Sequence, residues 1–212
     1  MISFLISAIK IIFLLGFLIG IHETGHFLIA KLCKVRVNEF AIGFGPVIWK
    51  KQGKETKYEL RLIPLGGFVN MEGEAEKSEK EGSFTKASIP RRIAIVAAGA
   101  LVNIIFAIIV YFILAMTIRG DLTNAVVGNR VLDADNFGNR LYFASYNTKE
   151  FMLSIAESVK QLFTGKVSSA ELVGPVGISE VVAKTNGFRE FIYILAAISI
   201  SLGVTNLLPF PP

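Results

Sequence analysis

GIHETGHFLIA, residues 20–30, sets two histidines and a glutamate inside an apolar run that reaches back to Ile2. Whether this stretch is membrane helix or soluble core decides the fold. A spanning helix needs about 20 consecutive apolar residues. Ile2–Lys31 is longer than that, and Lys10 is close enough to its start to reach the interface along its own methylenes. An ionisable side chain within such a helix costs roughly 2.5 kcal/mol or more on insertion scales, so His22, Glu23 and His26 are functional candidates by default. The composition agrees, with 52% hydrophobic and 18% charged residues and a mean hydropathy of +0.56. Such values point to a membrane protein. The run lacks the basic flank and small-residue cleavage site of a signal peptide, so it is expected to stay as a helix.

Working outward, residues 35–69 change character. Short alternating runs (Val35-Arg36-Val37, and Tyr58 to Leu62) are punctuated by Gly43, Gly45, Pro46, Gly53, Pro64, Gly66 and Gly67. They read as β-hairpins. Glu72 to Glu81 is a polar loop. Ile93 to Ile118 is a second spanning helix, announced by Pro90-Arg91-Arg92. Residues 120–148, rich in Asn and Gly, read as a loop with short strands. Phe151 to Phe163 has the apolar spacing of an amphipathic surface helix (Phe151, Ile155, Val159, Leu162). Ser168 to Lys184 holds an apolar stretch broken by Gly and Pro, and Phe191 to Leu208 is a third span. The expected fold is membrane α-helical, about three transmembrane helices with a small membrane-associated sheet or re-entrant hairpin between the first two. Its parts are 1–34, 35–90, 91–119, 120–187 and 188–212.

Residues 31–92 hold thirteen Lys and Arg, against seven in 119–187. The positive-inside rule then puts 31–92 in the cytoplasm, with the N-terminus and 119–187 outside. His22 lies nine residues before Lys31, about 13 Å along a helix, so both belong to the cytoplasmic half of the bilayer. Asn206-Leu207-Leu208-Pro209 returns to that same half. Neither a zinc-finger spacing nor a basic-aromatic stripe speaks for nucleic acid. One cysteine, Cys33, excludes an internal disulfide and reads as a packing residue, a reactive or acylated thiol being the alternative.

On a helix, positions i and i+4 share a face, so His22 and His26 can hold one metal ion. Glu23 stays beside it as a general base. This is the HExxH zinc-peptidase pattern, in which zinc acidifies a water and polarises a carbonyl. HExxH is only three fixed positions, and a core histidine usually just makes a hydrogen bond. Here, however, the two histidines of the motif are the only two in the chain, and both lie in a membrane span. A catalytic zinc takes three protein ligands. No third histidine exists, Asp121, Asp133 and Asp135 fall in the segment placed outside, and Glu23 is needed as base.

Several stretches together resemble the site-2 protease family, bacterial intramembrane zinc proteases of the regulator of sigma-E protease type. They are HETGHFLIAKLCKVRVNEFAIGFGP, LRLIPLGGFVNMEGE, SIPRRIAIVAAGALVNIIFA with Gly99 and Asn103 in a GxxxN pattern, ELVGPVGI and TNLLPFPP. The resemblance implies a zinc endopeptidase that cuts transmembrane segments of single-span proteins in the bacterial inner membrane. Anti-sigma-factor-like substrates of regulated intramembrane proteolysis are the implied kind. By the same resemblance His22 and His26 are zinc ligands and Glu23 the acid/base. Gly43 and Gly45 form a membrane-dipping loop that offers a strand edge to unwound substrate. Asn103 is a substrate or active-site contact, an interhelical hydrogen bond being the alternative. Asn206 and Pro209 shape the end of helix three beside the zinc. In the family NLLP runs on into Leu-Asp-Gly, whose aspartate is the third ligand. The sequence stops at Pro212, so it reads as truncated, weak in zinc, and short of a fourth helix. Residues 120–150 are too few for the PDZ domain of close relatives. The other readings are a non-catalytic membrane binder and a CAAX-type membrane zincin, which lacks GFGP and NLLP stretches.

Overall fold

The computed structural model describes residues 2–118, 120–164, 181–183, 185 and 187–207. In chain order these form α1 (Ile2–Leu32), β1 (Val37–Gln52), β2 (Lys57–Met71), a 3-10 turn (Phe84–Lys86), α2 (Ile89–Met116), β3 (Val126–Val127), β4 (Arg130–Val131), α3 (Phe137–Phe163) and α4 (Phe188–Leu207). Three helices are long and apolar enough to cross a membrane: Leu5–Leu32, Ile89–Met116 and Phe188–Leu207. α2 begins four residues before the expected Ile93, because Pro90 suits the first helical turn, where its missing N–H costs nothing. The Gly/Pro-broken stretch of 168–180 and Leu208–Pro212 lie outside the described residues.

The chain divides into two compact units. The first holds residues 1–104 and 201–212 and is built on α1 and the β1–β2 hairpin. The expected set of hairpins is one hairpin, bent back on itself. Glu39–Ile42 is matched with Asn70–Gly67 on one side and with Lys57–Leu60 on the other, while Trp49–Gln52 is matched with Leu60–Lys57. The punctuating glycines make the bends. Gly43 and Gly45 sit at φ 91° and 81° and Gly66 at 123°, conformations that side chains oppose. They are kinks within strands rather than a separate loop. Thr56 closes the arrangement by donating its buried hydroxyl to Val37 O at 2.8 Å. Glu59 is 4% exposed and is compensated by Arg61 at 2.8 Å and by Lys57. Arg61 also reaches Glu39 at 3.2 Å.

The hairpin packs on α1 through small residues. A Cβ at Gly16 would lie 2.0 Å from Pro64 O, so only glycine allows this approach. Nearer the C-terminal end of α1, Ala30, Val35, Val37, Met71 and Ile95 make one buried cluster, with Cys33 packed against it. The cysteine is thus a packing residue. The polar loop after β2 is well tied: Glu72 accepts from Asn38 at 3.1 Å and Ser78 at 2.7 Å. In this unit Gly203 of α4 approaches Ala100 O and Ile104 of α2.

The second unit, residues 105–200, corrects the expected loop over 120–148. Its first part is a β3–β4 ribbon on a small core of Leu122, Val127 and Leu132. Helix then starts at Phe137, fourteen residues before the expected Phe151. Asn136 explains the early start: its Oδ1 accepts the Asn139 N–H at 2.9 Å, an N-cap that outweighs the Gly-Asn composition behind it.

Candidate metal centre

His22 and His26 lie one turn apart on α1, within the apolar span. Their Nε2 atoms converge to 3.2 Å. Two nitrogens that share a tetrahedral zinc at about 2.0–2.1 Å stand ~3.3 Å apart, so the bite fits. The far side of each ring is held by α2. His26 Nδ1 lies 2.7 Å from Ile95 O. A carbonyl only accepts, so that nitrogen carries the proton and Nε2 presents a bare lone pair. His22 Nδ1 lies 3.4 Å from the Asn103 amide. The amide can offer its nitrogen to a bare Nδ1 or, turned over, its oxygen to an Nδ1–H. The second arrangement leaves both Nε2 lone pairs facing one point, which is the state a metal ligand pair needs.

Room for an ion comes from α2. A Cβ at Gly99 would fall 2.5 Å from His26 Nε2 and 2.7 Å from His22 Nε2. Gly25 allows the two helices this close, since its own Cβ would meet Ala98 O at 2.7 Å. Gly99 and Asn103 are a helical turn apart, which explains the GxxxN spacing: one position leaves space and the other reaches the ring. Asn103 is fully buried, and it makes an interhelical contact to His22, a candidate ligand.

Glu23, half-buried, faces the hairpin. Gly67 passes so close that a Cβ there would lie 3.1 Å from Glu23 Cγ. Glu23 and His26 share a cavity of about 280 Å³ with Gly67, Phe68, Val69, Glu74 and Ile95. Gly67 and Glu74 are neighbours that sequence reasoning did not single out. The Gly66-Gly67 pair inside a strand was the available signal, since glycine there marks close backbone approach.

The other expected site residues are placed differently. Gly43 and Gly45 lie in the bend of β1, and it is Gly67–Met71 of β2 that borders Glu23. Asn206 is exposed on the last turn of α4 and has no side-chain hydrogen bond among the described residues. Pro209 lies outside them. Among the described residues no third His, Cys, Asp or Glu joins His22 and His26.

Comparison with known proteins places the chain in a family. The model of peptidase family M50 matches residues 10–212. A candidate zinc metalloprotease of Clostridium acetobutylicum is 30% identical over 272 aligned residues, covering 92% of this chain and 80% of that protein. Protease RseP of Yersinia pestis is 32% identical over 203 residues, 90% of this chain and 44% of that protein. Regulator of sigma-E protease RseP of Escherichia coli is 43% identical over 118 residues, 53% of this chain and 26% of that protein.

Proposed function

This chain belongs to peptidase family M50, and we propose on that premise that it is a membrane-embedded zinc endopeptidase cutting transmembrane segments of single-span proteins. The observation that carries the reading is the convergence of two Nε2 atoms at 3.2 Å beside Glu23, within a helix apolar enough to span a bilayer. Anti-sigma-factor-like proteins of regulated intramembrane proteolysis are the proposed substrates, and the bacterial inner membrane the proposed location.

The family's cofactor is zinc, and His22 Nε2 and His26 Nε2 would supply two of its three protein ligands. When bound it acidifies water and polarises the scissile carbonyl. Glu23 takes a proton from the attacking water on its carboxylate and returns it to the leaving amine nitrogen. Asn103 and the Ile95 carbonyl orient the two rings from behind. A substrate helix spends its backbone hydrogen bonds internally, so cleavage needs unwinding and replacement partners. Among the described residues Gly67–Met71 is matched on one side only, with Val37–Ile42, and it borders the Glu23 cavity. This edge is the better candidate for receiving an extended substrate by strand addition.

The bend of the hairpin supports a membrane-dipping role. Pro64 rests on Gly16, deep in the α1 span, and Phe44, Ile48, Trp49, Leu62 and Ile63 are exposed around it. Apolar side chains displayed this way suit lipid. In this orientation the N-terminus is outside and the site lies in the cytoplasmic half of the bilayer.

The test is Glu23→Gln in cells co-expressing a single-span substrate. Cleavage is expected to stop while zinc content is unchanged. Undiminished cleavage would remove Glu23 from the reaction.

A further inference from the structure

A cleft of about 730 Å³ opens beside the Lys34 turn, lined by residues from the C-terminal end of α1 and the start of α2, with Val35 of the buried cluster in its wall. Lys31, Lys34, Arg36, Lys86 and Arg91 line it, against two carboxylates, Glu55 and Glu81. Glu55 is taken by Lys31 at 2.7 Å, and that ion pair holds its carboxyl below the usual range. The Lys34, Arg36 and Arg91 side chains have no hydrogen bond or ion pair among the described residues. Arg36 is drawn only to Glu55, which Lys31 already pairs, so five cationic side chains face two carboxylates across one concavity.

The backbone is shaped to hold them there. Lys34 adopts φ 60°, a left-handed position usually given to glycine. It closes α1 in a six-to-one turn, with Val35 N donating to Ala30 O at 2.8 Å. Arg36 N donates to Gly82 O at 2.8 Å, pinning the far wall.

The cleft sits at the ends of two membrane-spanning segments, Leu5–Leu32 and Ile89–Met116. Adjoining it in sequence, Leu32 is 76% exposed and Ile89 63% exposed. A cationic concavity flanked by bare apolar side chains matches an amphiphile with a negative head better than a free anion. We propose that this cleft binds the phosphate headgroup of an anionic phospholipid, its acyl chains lying along Leu32 and Ile89. The juxtaposition is independent of the metal centre and of proteolysis.

The test uses the full chain in phosphatidylcholine micelles, titrated with phosphatidylglycerol and read by native mass spectrometry. Lys34→Ala/Arg36→Ala/Arg91→Ala is expected to weaken phosphatidylglycerol binding about tenfold or more, from the loss of three interfacial charges. Lys50→Ala/Lys51→Ala/Lys54→Ala makes an equal charge change on the hairpin and is expected to leave binding unchanged. Arg91→Gln alone, at an exposed position, is expected to weaken it a few-fold and guards against misfolding of the triple variant. Equal loss in both triple variants, or no loss in any, overturns the site. Competition by inorganic phosphate as effective as that by phosphatidylglycerol overturns the lipid as its source.

Discussion

A single methyl group at position 99 would stand 2.5 Å from His26 Nε2 and 2.7 Å from His22 Nε2. Gly99→Ala should therefore displace the two candidate ligands by direct clash while leaving both histidines in the sequence. Zinc measured by plasma mass spectrometry is expected to fall well below the level of the unmodified chain, and full occupancy would show that the ion does not sit between these atoms. Asn103→Leu removes the polar contact to His22 while keeping the branched shape and number of heavy atoms of the side chain. Loss of such a supporting group commonly costs 10–100-fold in metal affinity, to be read by competition with a chelator. An unchanged affinity would leave Asn103 as packing alone. At this scale the sequence was legible where chemistry follows spacing along one helix: His22, Glu23 and His26 declare themselves at i, i+1 and i+4. Gly67 and Glu74 reach Glu23 only because β2 returns past α1, and no local pattern encodes that return.

The bent hairpin carries its own pH dependence. Glu59 is drawn down from 4.5 to about 2, first by the hydrogen bond from Lys57 and then by Arg61. Glu72 is likewise lowered to about 2, by Ser78, Asn38 and Lys80. A carboxyl depressed in the folded state adds stability above its unfolded value and loses it as pH falls towards its folded value. Protection of hairpin amides in hydrogen exchange is thus expected to hold at pH 5 and above and to decline between about 4.5 and 2. Glu59→Gln should lower protection at neutral pH and flatten that decline, and an acid response identical to the parent would exclude Glu59 as its source. In α3, Asn136→Ala should cost about 1 kcal/mol, the usual value of an N-cap, seen as fraying of the first turn. The start of α3 was hidden in the sequence because Asn, Gly and Asp suggest a loop, whereas here one Asn side chain begins a helix. The hairpin was legible as strands but not in its folding back. Its register depends on pairings between residues far apart in sequence, such as Phe40 with Val69, 29 positions away.

At the scale of the whole molecule, hydropathy alone located, to within a few residues, the three helices among the described residues that are long and apolar enough to cross a membrane, because a bilayer imposes length and apolarity on any sequence that crosses it. Orientation rests on the distribution of Lys and Arg. In a Cys33→Ser background, Ser78→Cys is expected to be labelled by an impermeant maleimide only from the cytoplasmic face, and Thr123→Cys only from the opposite face. Labelling of both from one face would refute the proposed topology. The histidine pair has one more consequence. Both rings stand on α1, yet each is braced from α2, at Ile95 O and at Asn103, and the space between them is left by Gly99. During synthesis α1 is made before α2. In the proposed site a nascent chain would therefore carry the two candidate ligands without their braces, and the arrival of the second helix would act as a safety catch on metal capture.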